Sequence, residues 1–135
     1  MGFVYDVFVS YSHDDLDWVT GFSGQLESQG FRVARDEVVF KPGDVLVHAI
    51  EQAIRDSAHG ILVFSTASVA SGWVQQEYAA LMQRSIQYGL RFIPIVIDDV
   101  ELPGFAATRY YADFRKVSAA GYDRLIAKIT EALRS

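Results

Sequence analysis

The chain has 135 residues, a net charge of −5 and no cysteine, and half of its residues are hydrophobic. This composition predicts one folded domain spanning residues 1–135, either a whole protein or one module of a longer one, and it excludes disulfides and thiol nucleophiles. The acidic balance argues against nucleic-acid binding, and no run approaches the ~18 apolar residues that span a bilayer. Without a visible signal peptide, we expect a cytoplasmic protein with no membrane partner.

The first third of the chain predicts two strands around a helix. Residues 3–9 and 31–34 are short apolar runs typical of strands. Between them, Ser12 or Asp14 is expected to cap a helix that Gly30 ends. The apolar face of this helix is predicted to contain Trp18, Phe22 and Leu26.

The middle of the chain predicts a loop, two helices and a strand. Residues 35–43 form the predicted loop, which ends in the turn pair Pro42-Gly43. Asp44 is expected to cap a helix with Leu46, Ile50, Ala53 and Ile54 on one face. Residues 60–64 predict the third strand, and the segment that contains Trp73 and Glu77 predicts the next helix.

The last third predicts two further strands and a final helix. Residues 91–97 predict a fourth strand, in which Pro94 favours an edge position or a bulge, and residues 109–112 predict a fifth. The final helix has the clearest 3.6-residue period in the chain, on Tyr122, Leu125, Ile126, Ile129 and Leu133.

Runs that are apolar on both faces, such as residues 61–64, are typical of strands in a covered parallel sheet. The sequence therefore predicts an α/β, flavodoxin-like fold with a five-stranded, mainly parallel sheet flanked by helices on both faces.

Trp73 and Glu77 lie four residues apart in a predicted helix that follows a buried strand. Side chains at this spacing share one helix face, and open α/β sheets bind ligands at the carboxyl ends of their strands. This pair is therefore a candidate site for a ligand with a flat ring and a sugar. The alternative interpretation is a packed tryptophan and an exposed glutamate, as in most proteins.

Several other site chemistries are excluded. The chain has neither of the glycine-rich phosphate loops nor the G-x-S-x-G turn of α/β hydrolases. A phospho-acceptor domain needs acidic residues after the first and third strands, where this chain has serine, tyrosine and threonine. The histidines show no metal-ligand spacing, so we expect no metal site at His13, His48 and His59.

The order of motifs identifies a family resemblance. Residues 5–12 (YDVFVSYS) resemble the first motif of Toll/interleukin-1 receptor (TIR) domains. Arg35-Asp36, followed after five residues by Pro42-Gly43-Asp44, is similar to the second loop of bacterial members. Gly72-Trp73 with Glu77 resembles the site helix of members that cleave NAD+, and residues 91–95 resemble the fourth strand of the family.

Two departures separate the chain from animal receptors. Its second loop is longer than the animal form, and Phe114-Arg115-Lys116 occupies the region where animal members have a Phe-Trp pair. The resemblance therefore points to a bacterial, effector-type domain that acts in signalling or defence.

The resemblance implies an NAD+ glycohydrolase or cyclase that takes NAD+ as its substrate and needs no metal or cofactor. Glu77 would be the catalytic carboxylate, and Trp73 would stack on a ring of the substrate. The other implied substrate-binding residues are Ser10, Tyr11, Arg35, Asp36, Phe40 and Lys41. Ordinary packing or solvation of these side chains is the alternative.

The resemblance also implies self-association with other TIR domains through the second loop, with Phe40, Pro42 and Gly43 in the contact. Active sites in the family are often completed only on assembly. The alternative function is a non-enzymatic scaffold that only recruits other TIR domains, because the fold by itself is compatible with both.

Overall fold

The computed structural model describes residues 3–35, 55–70, 83, 87, 91–101 and 111–134. Five strands in this part of the chain form one sheet: β1 (Tyr5–Ser10), β2 (Val33–Arg35), β3 (Ser57–Phe64), β4 (Phe92–Val96) and β5 (Ala112–Asp113). Their order is β2-β1-β3-β4-β5, and every neighbouring pair is parallel. The predicted flavodoxin-like α/β fold is confirmed.

The strand bounds differ from the predicted ones because backbone pairing, rather than apolar character alone, determines where a strand begins and ends. Arg35 was predicted to begin the second loop, but it is the last residue of β2 and pairs with Val9. Ser57 is polar, yet it opens β3 by pairing with Tyr5. Among the described residues the fifth strand is Ala112–Asp113, so it extends one residue beyond the predicted end, while Arg109 and Tyr110 lie outside the described residues.

The described helices are α1 (Leu16–Ser28), which follows a 3-10 turn at His13–Asp15, α2 (Thr66–Ala70) and α3 (Ala119–Arg134). The predicted capping by Ser12 or Asp14 is wrong. Ser12 precedes the 3-10 turn without a side-chain capping bond, and α1 begins after Asp15, whose carboxylate caps no N–H. Gly30 follows α1 with a φ of 93°, in the left-handed region that favours glycine.

One continuous core joins α1 and α3 to the sheet. Val7, Val9, Ile61, Val63 and Ile95 point to this side, where they meet the buried faces of the two helices. The predicted faces are confirmed, since the core contacts of these helices include Trp18, Phe22, Leu26, Tyr122, Leu125, Ile126, Ile129 and Leu133.

Alternate strand residues, which point to the opposite side of the sheet, are equally buried. Phe8, Leu62, Phe64 and Val96 are each at most 1% exposed. Burial on both faces is the reason that the strands of this parallel sheet read as continuous apolar runs. The predicted helix from Asp44 and the predicted helix of Trp73 and Glu77 lie outside the described residues.

The prediction that Pro94 occupies an edge position or a bulge is wrong, because β4 lies between β3 and β5 and pairs with β3 in an unbroken register. The backbone groups of Arg91 and Ile97 form hydrogen bonds with β3. Successive residues of a parallel strand bond to opposite neighbours, so the nitrogen of Pro94 is directed towards β5. On that side the described pairing with β5 begins only at Ile95. The missing N–H of the proline therefore breaks no described ladder bond.

Asp6 of the first motif has a structural role at the amino edge of the sheet. Its Oδ2 accepts a hydrogen bond of 2.6 Å from the backbone N–H of Arg32, and its Oδ1 lies 3.2 Å from the Arg32 guanidinium. The hydrogen bond from that side chain lowers the pKa of Asp6. The link joins β1 to the residue that immediately precedes β2. It therefore lies near the amino ends of the strands, away from their carboxyl ends.

His59 is half-buried in β3. Its Nδ1 accepts a hydrogen bond of 3.1 Å from the backbone N–H of Arg91. Burial lowers the pKa of His59, and the charge of Arg91 lowers it further, while the Leu133 backbone and the charge of Asp6 oppose the shift. The neutral ring therefore belongs to the folded state.

We expect this histidine to make the free energy of unfolding depend on pH. The unfolded chain binds the proton more readily, so the stability present above the unfolded pKa of about 6.5 is lost as pH falls below it. Urea unfolding of wild type and His59→Gln at several pH values near 6 checks this, since the variant should show the flatter dependence. The exposed His13 offers a matched control, His13→Gln, which should keep the slope of wild type. Equal slopes in wild type and His59→Gln would contradict the expectation.

Candidate functional site

The candidate site lies where the order of the strands reverses. From β1 the chain continues to β2 on one side of the sheet, and from β3 it continues through β4 to β5 on the other side. Ligands of open α/β sheets bind in the crevice outside the carboxyl ends of strands at such a point. Here these ends are followed by Tyr11 and Ser12 on one side and by Ser65 and Thr66 on the other.

The structure places three of the predicted substrate-binding residues. Ser10 ends β1 and is 2% exposed, and Tyr11 follows with 1% exposure and packs in the core. Arg35 ends β2, on the same edge of the sheet, and its Nη1 lies 3.4 Å from the Thr20 hydroxyl of α1. Their contacts with a substrate remain predictions.

The remaining predicted site residues lie outside the described residues. They are Asp36, Phe40, Lys41, Pro42, Gly43, Trp73 and Glu77. Their predicted roles in catalysis, substrate binding and assembly therefore remain predictions as well.

The start of α2 contains a reciprocal cap that the sequence analysis missed. The Ser65 hydroxyl accepts a hydrogen bond of 3.0 Å from the Ser68 N–H, and the Ser68 hydroxyl accepts one of 2.8 Å from the Ser65 N–H. This is the geometry of a capping box, with serine in place of the usual glutamate or glutamine at the third helical position. The Ser-x-x-Ser spacing at 65–68 was the available signal.

Two carboxylates from other loops hold the same helix start. The Ser65 hydroxyl donates a hydrogen bond to Oδ2 of Asp15, which immediately precedes α1. The Thr66 N–H donates one of 2.9 Å to Oδ2 of Asp98, two residues after β4. The loops that follow β1, β3 and β4 are thereby joined at the carboxyl edge of the sheet.

Asp15 has an unfavourable environment for a carboxylate. Burial raises its pKa, and the negative charges of Asp98 and Asp14 raise it further, while the hydrogen bond from Ser65 opposes the shift. Part-buried carboxylates close to other negative charges occur in functional sites and also in structural networks.

The segment Phe114-Arg115-Lys116, which replaces the Phe-Trp pair of animal members, directly follows β5. Phe114 packs in the core, with its ring edge-on to Trp18 at 5.3 Å. Arg115 forms two bonds of 2.9 Å with Asp113 and lies 3.2 Å from Asp99. Its hydrogen bond lowers the pKa of Asp113. These two residues thus have packing and ion-pair roles.

Two negative findings apply to the described residues. No group of three or more histidine, aspartate or glutamate side chains there is arranged to hold a metal ion. Every helix in that part of the chain is too short or too polar to cross a membrane.

The sequence model of the TIR domain family matches residues 7–126. The chain belongs to the TIR domain family. Its architecture agrees with that of a solved relative, the TIR domain of the Toll-related receptor TRR-2 from Hydra magnipapillata. The TM-score is 0.84 at 21% identity, over 98% of this chain and 100% of that one.

Curated relatives of this TIR domain include bacterial proteins named for reactions of NAD+. The 2′ cyclic ADP-D-ribose synthase AbTIR of Acinetobacter baumannii is 32% identical over 92 residues, which are 67% of this chain and 34% of that protein. The NAD(+) hydrolase TirS of Staphylococcus aureus is 31% identical over 83 residues, which are 61% of this chain and 30% of that protein. The aligned part is about a third of the length of either relative.

Proposed function

We propose that this TIR domain cleaves the bond between nicotinamide and ribose in NAD+. The observation that carries the proposal is Glu77, four residues after Trp73, within an ordered set of TIR motifs. Bacterial relatives named as an NAD+ hydrolase and a cyclic ADP-ribose synthase support the same substrate. A pure scaffold has no need of this carboxylate.

The chemistry requires only one carboxylate. Ordinary glycosidases use two, because a poor leaving group must be protonated. Nicotinamide departs from a pyridinium as a neutral ring, so no general acid is needed. The task that remains is to stabilise positive charge as it develops on the ribose, and Glu77 does this electrostatically. Water then captures the sugar to give ADP-ribose and a proton. Alternatively, an adenine nitrogen or a ribose hydroxyl, which loses its proton, captures it to give a cyclic product.

The other predicted residues bind the substrate. Trp73 stacks on the cationic nicotinamide or on adenine. Arg35 and Lys41 provide the positive charge that the pyrophosphate requires in an acidic chain. Ser10 and Tyr11 form the floor of the ligand site at the end of β1, where their side chains are buried. Asp36 and Phe40 complete the site from the second loop.

Self-assembly is the proposed switch of this activity. Phe40, Pro42 and Gly43 of the second loop contact a neighbouring TIR domain, so that assembled copies complete each other's sites. Contacts between two different patches of surface build open head-to-tail arrays when the rotation does not close. Such a domain serves as a cytoplasmic signalling or defence effector.

Nicotinamide release from NAD+, followed by chromatography, tests the proposal. We expect the rate per domain to rise steeply with protein concentration or on crowded beads, because assembly completes the site. The co-product peak distinguishes hydrolysis from cyclisation. Absence of release from folded, assembled protein would contradict the enzyme and favour the alternative function, a non-enzymatic scaffold for other TIR domains.

A further inference from the structure

We propose that Asp15 is a positioning residue for this site, because its hydrogen bond with Ser65 holds the start of α2 at the crevice between β1 and β3. This inference rests on the proposed function in one respect, namely that NAD+ is cleaved in this crevice. Asp15 itself is assigned no contact with NAD+.

The geometry gives Asp15 a role that its place in the sequence does not suggest. It occupies the position before α1 where an aspartate usually caps the helix, yet its carboxylate caps no N–H there. The carboxylate instead accepts a hydrogen bond from the hydroxyl of Ser65, fifty residues away. The Asp15 carboxylate therefore links two loops through a part-buried hydrogen bond and does not cap the helix that follows it.

Ser65 transmits this link to the backbone of α2. Its hydroxyl donates to Asp15 and at the same time accepts from the Ser68 N–H at 3.0 Å. Asp98 holds the next residue by accepting from the Thr66 N–H at 2.9 Å. Two consecutive residues at the start of α2 are therefore held from the loops after β1 and after β4.

The start of α2 borders the crevice itself, because Ser65 and Thr66 follow the carboxyl end of β3. A misplacement of about 1 Å in a reacting group costs on the order of a hundredfold in rate.

Kinetics of nicotinamide release separate positioning from simple stabilisation. We expect Asp15→Ala to lower kcat at least about tenfold while KM changes less than about threefold. Asp15→Asn should restore kcat to within about threefold of wild type, because the amide oxygen can still accept a hydrogen bond from the Ser65 hydroxyl. Asp14→Ala removes an exposed charge one residue away and should leave both parameters unchanged.

A double-mutant cycle tests whether Asp15 acts through Ser65. If the two residues act through one hydrogen bond, either single change already breaks it. The variant with both Asp15→Ala and Ser65→Ala should therefore be no slower than the slower single variant. Additive losses would overturn the proposal. An Asp15→Asn variant as slow as Asp15→Ala would overturn it too, since the charge rather than the hydrogen bond would then matter.

Hydrogen exchange provides a readout that does not depend on activity. We expect faster amide exchange in residues 65–70 of Asp15→Ala and unchanged exchange in α3, with Asp14→Ala and Asp15→Asn close to wild type. Unchanged exchange in residues 65–70 would overturn the proposal. If Asp15→Ala showed the expected exchange pattern while wild type released no nicotinamide, the proposed function would fail, and only the finding that Asp15 holds the start of α2 would stand.

Discussion

Replacing Glu77 with glutamine should lower nicotinamide release from NAD+ by about two to three orders of magnitude. The amide has the shape of the carboxylate but lacks its charge, so it stabilises the developing charge on the ribose poorly. Binding of NAD+ should change little, because the loss concerns the transition state rather than the ground state. Steady-state kinetics of the assembled protein measure both quantities.

The matched control for this change is Glu27→Gln, which removes the same charge from an exposed position on α1. It should keep the activity of wild type. A Glu77→Gln protein with full activity would show that the reaction belongs to a different group, even if wild type cleaves NAD+. Loss of activity in both variants would point to a general effect of net charge on assembly.

Truncating Phe22 to alanine should lower the free energy of unfolding by about 3–5 kcal/mol. The Phe22 side chain is fully buried, stacks on Trp18 with ring centres 5.1 Å apart and meets the Phe114 ring edge-on at 5.9 Å. Its removal leaves a cavity where α1, α3 and the sheet meet, which these rigid neighbours can fill only in part. Urea unfolding followed by circular dichroism measures the change.

Phe3→Ala is the control for this truncation, because the Phe3 side chain is 37% exposed. We expect it to cost less than about 1 kcal/mol. If Phe22→Ala is too unstable to purify, Phe22→Leu should still show a loss of about 1–2 kcal/mol, since most of the volume is retained. A Phe22→Ala loss no larger than that of Phe3→Ala would contradict the described core.

The sequence predicted the elements whose signal is local. The final helix was predicted with its buried face because a helix repeats every 3.6 residues, and Ile126, Ile129 and Leu133 record that period. Residues 61–64 predicted a strand covered on both faces, and they are buried in the centre of the sheet. The TIR motifs are local in the same sense, which is why the family was recognisable before the fold was described.

Two predictions of local detail failed because neighbours elsewhere in the chain decide them. Pro94 suggested an edge strand, but the direction in which its nitrogen faces is determined by the pairing of β4 with β3 and β5. Ser12 and Asp14 were expected to cap α1, although a 3-10 turn intervenes. A short polar segment offers several hydrogen-bonding solutions of similar energy, and tertiary contacts choose among them.

By itself, the sequence determined the α/β class, the parallel sheet, the family and the candidate carboxylate, because hydrophobic period and motif spacing are properties of contiguous residues. Only the tertiary structure decided that Asp15 bonds to Ser65 rather than to its own helix. That bond spans fifty residues and exists because β1 and β3 are neighbours in the sheet. Which side chains of these two loops meet is a consequence of packing over the whole chain, so local patterns do not contain it.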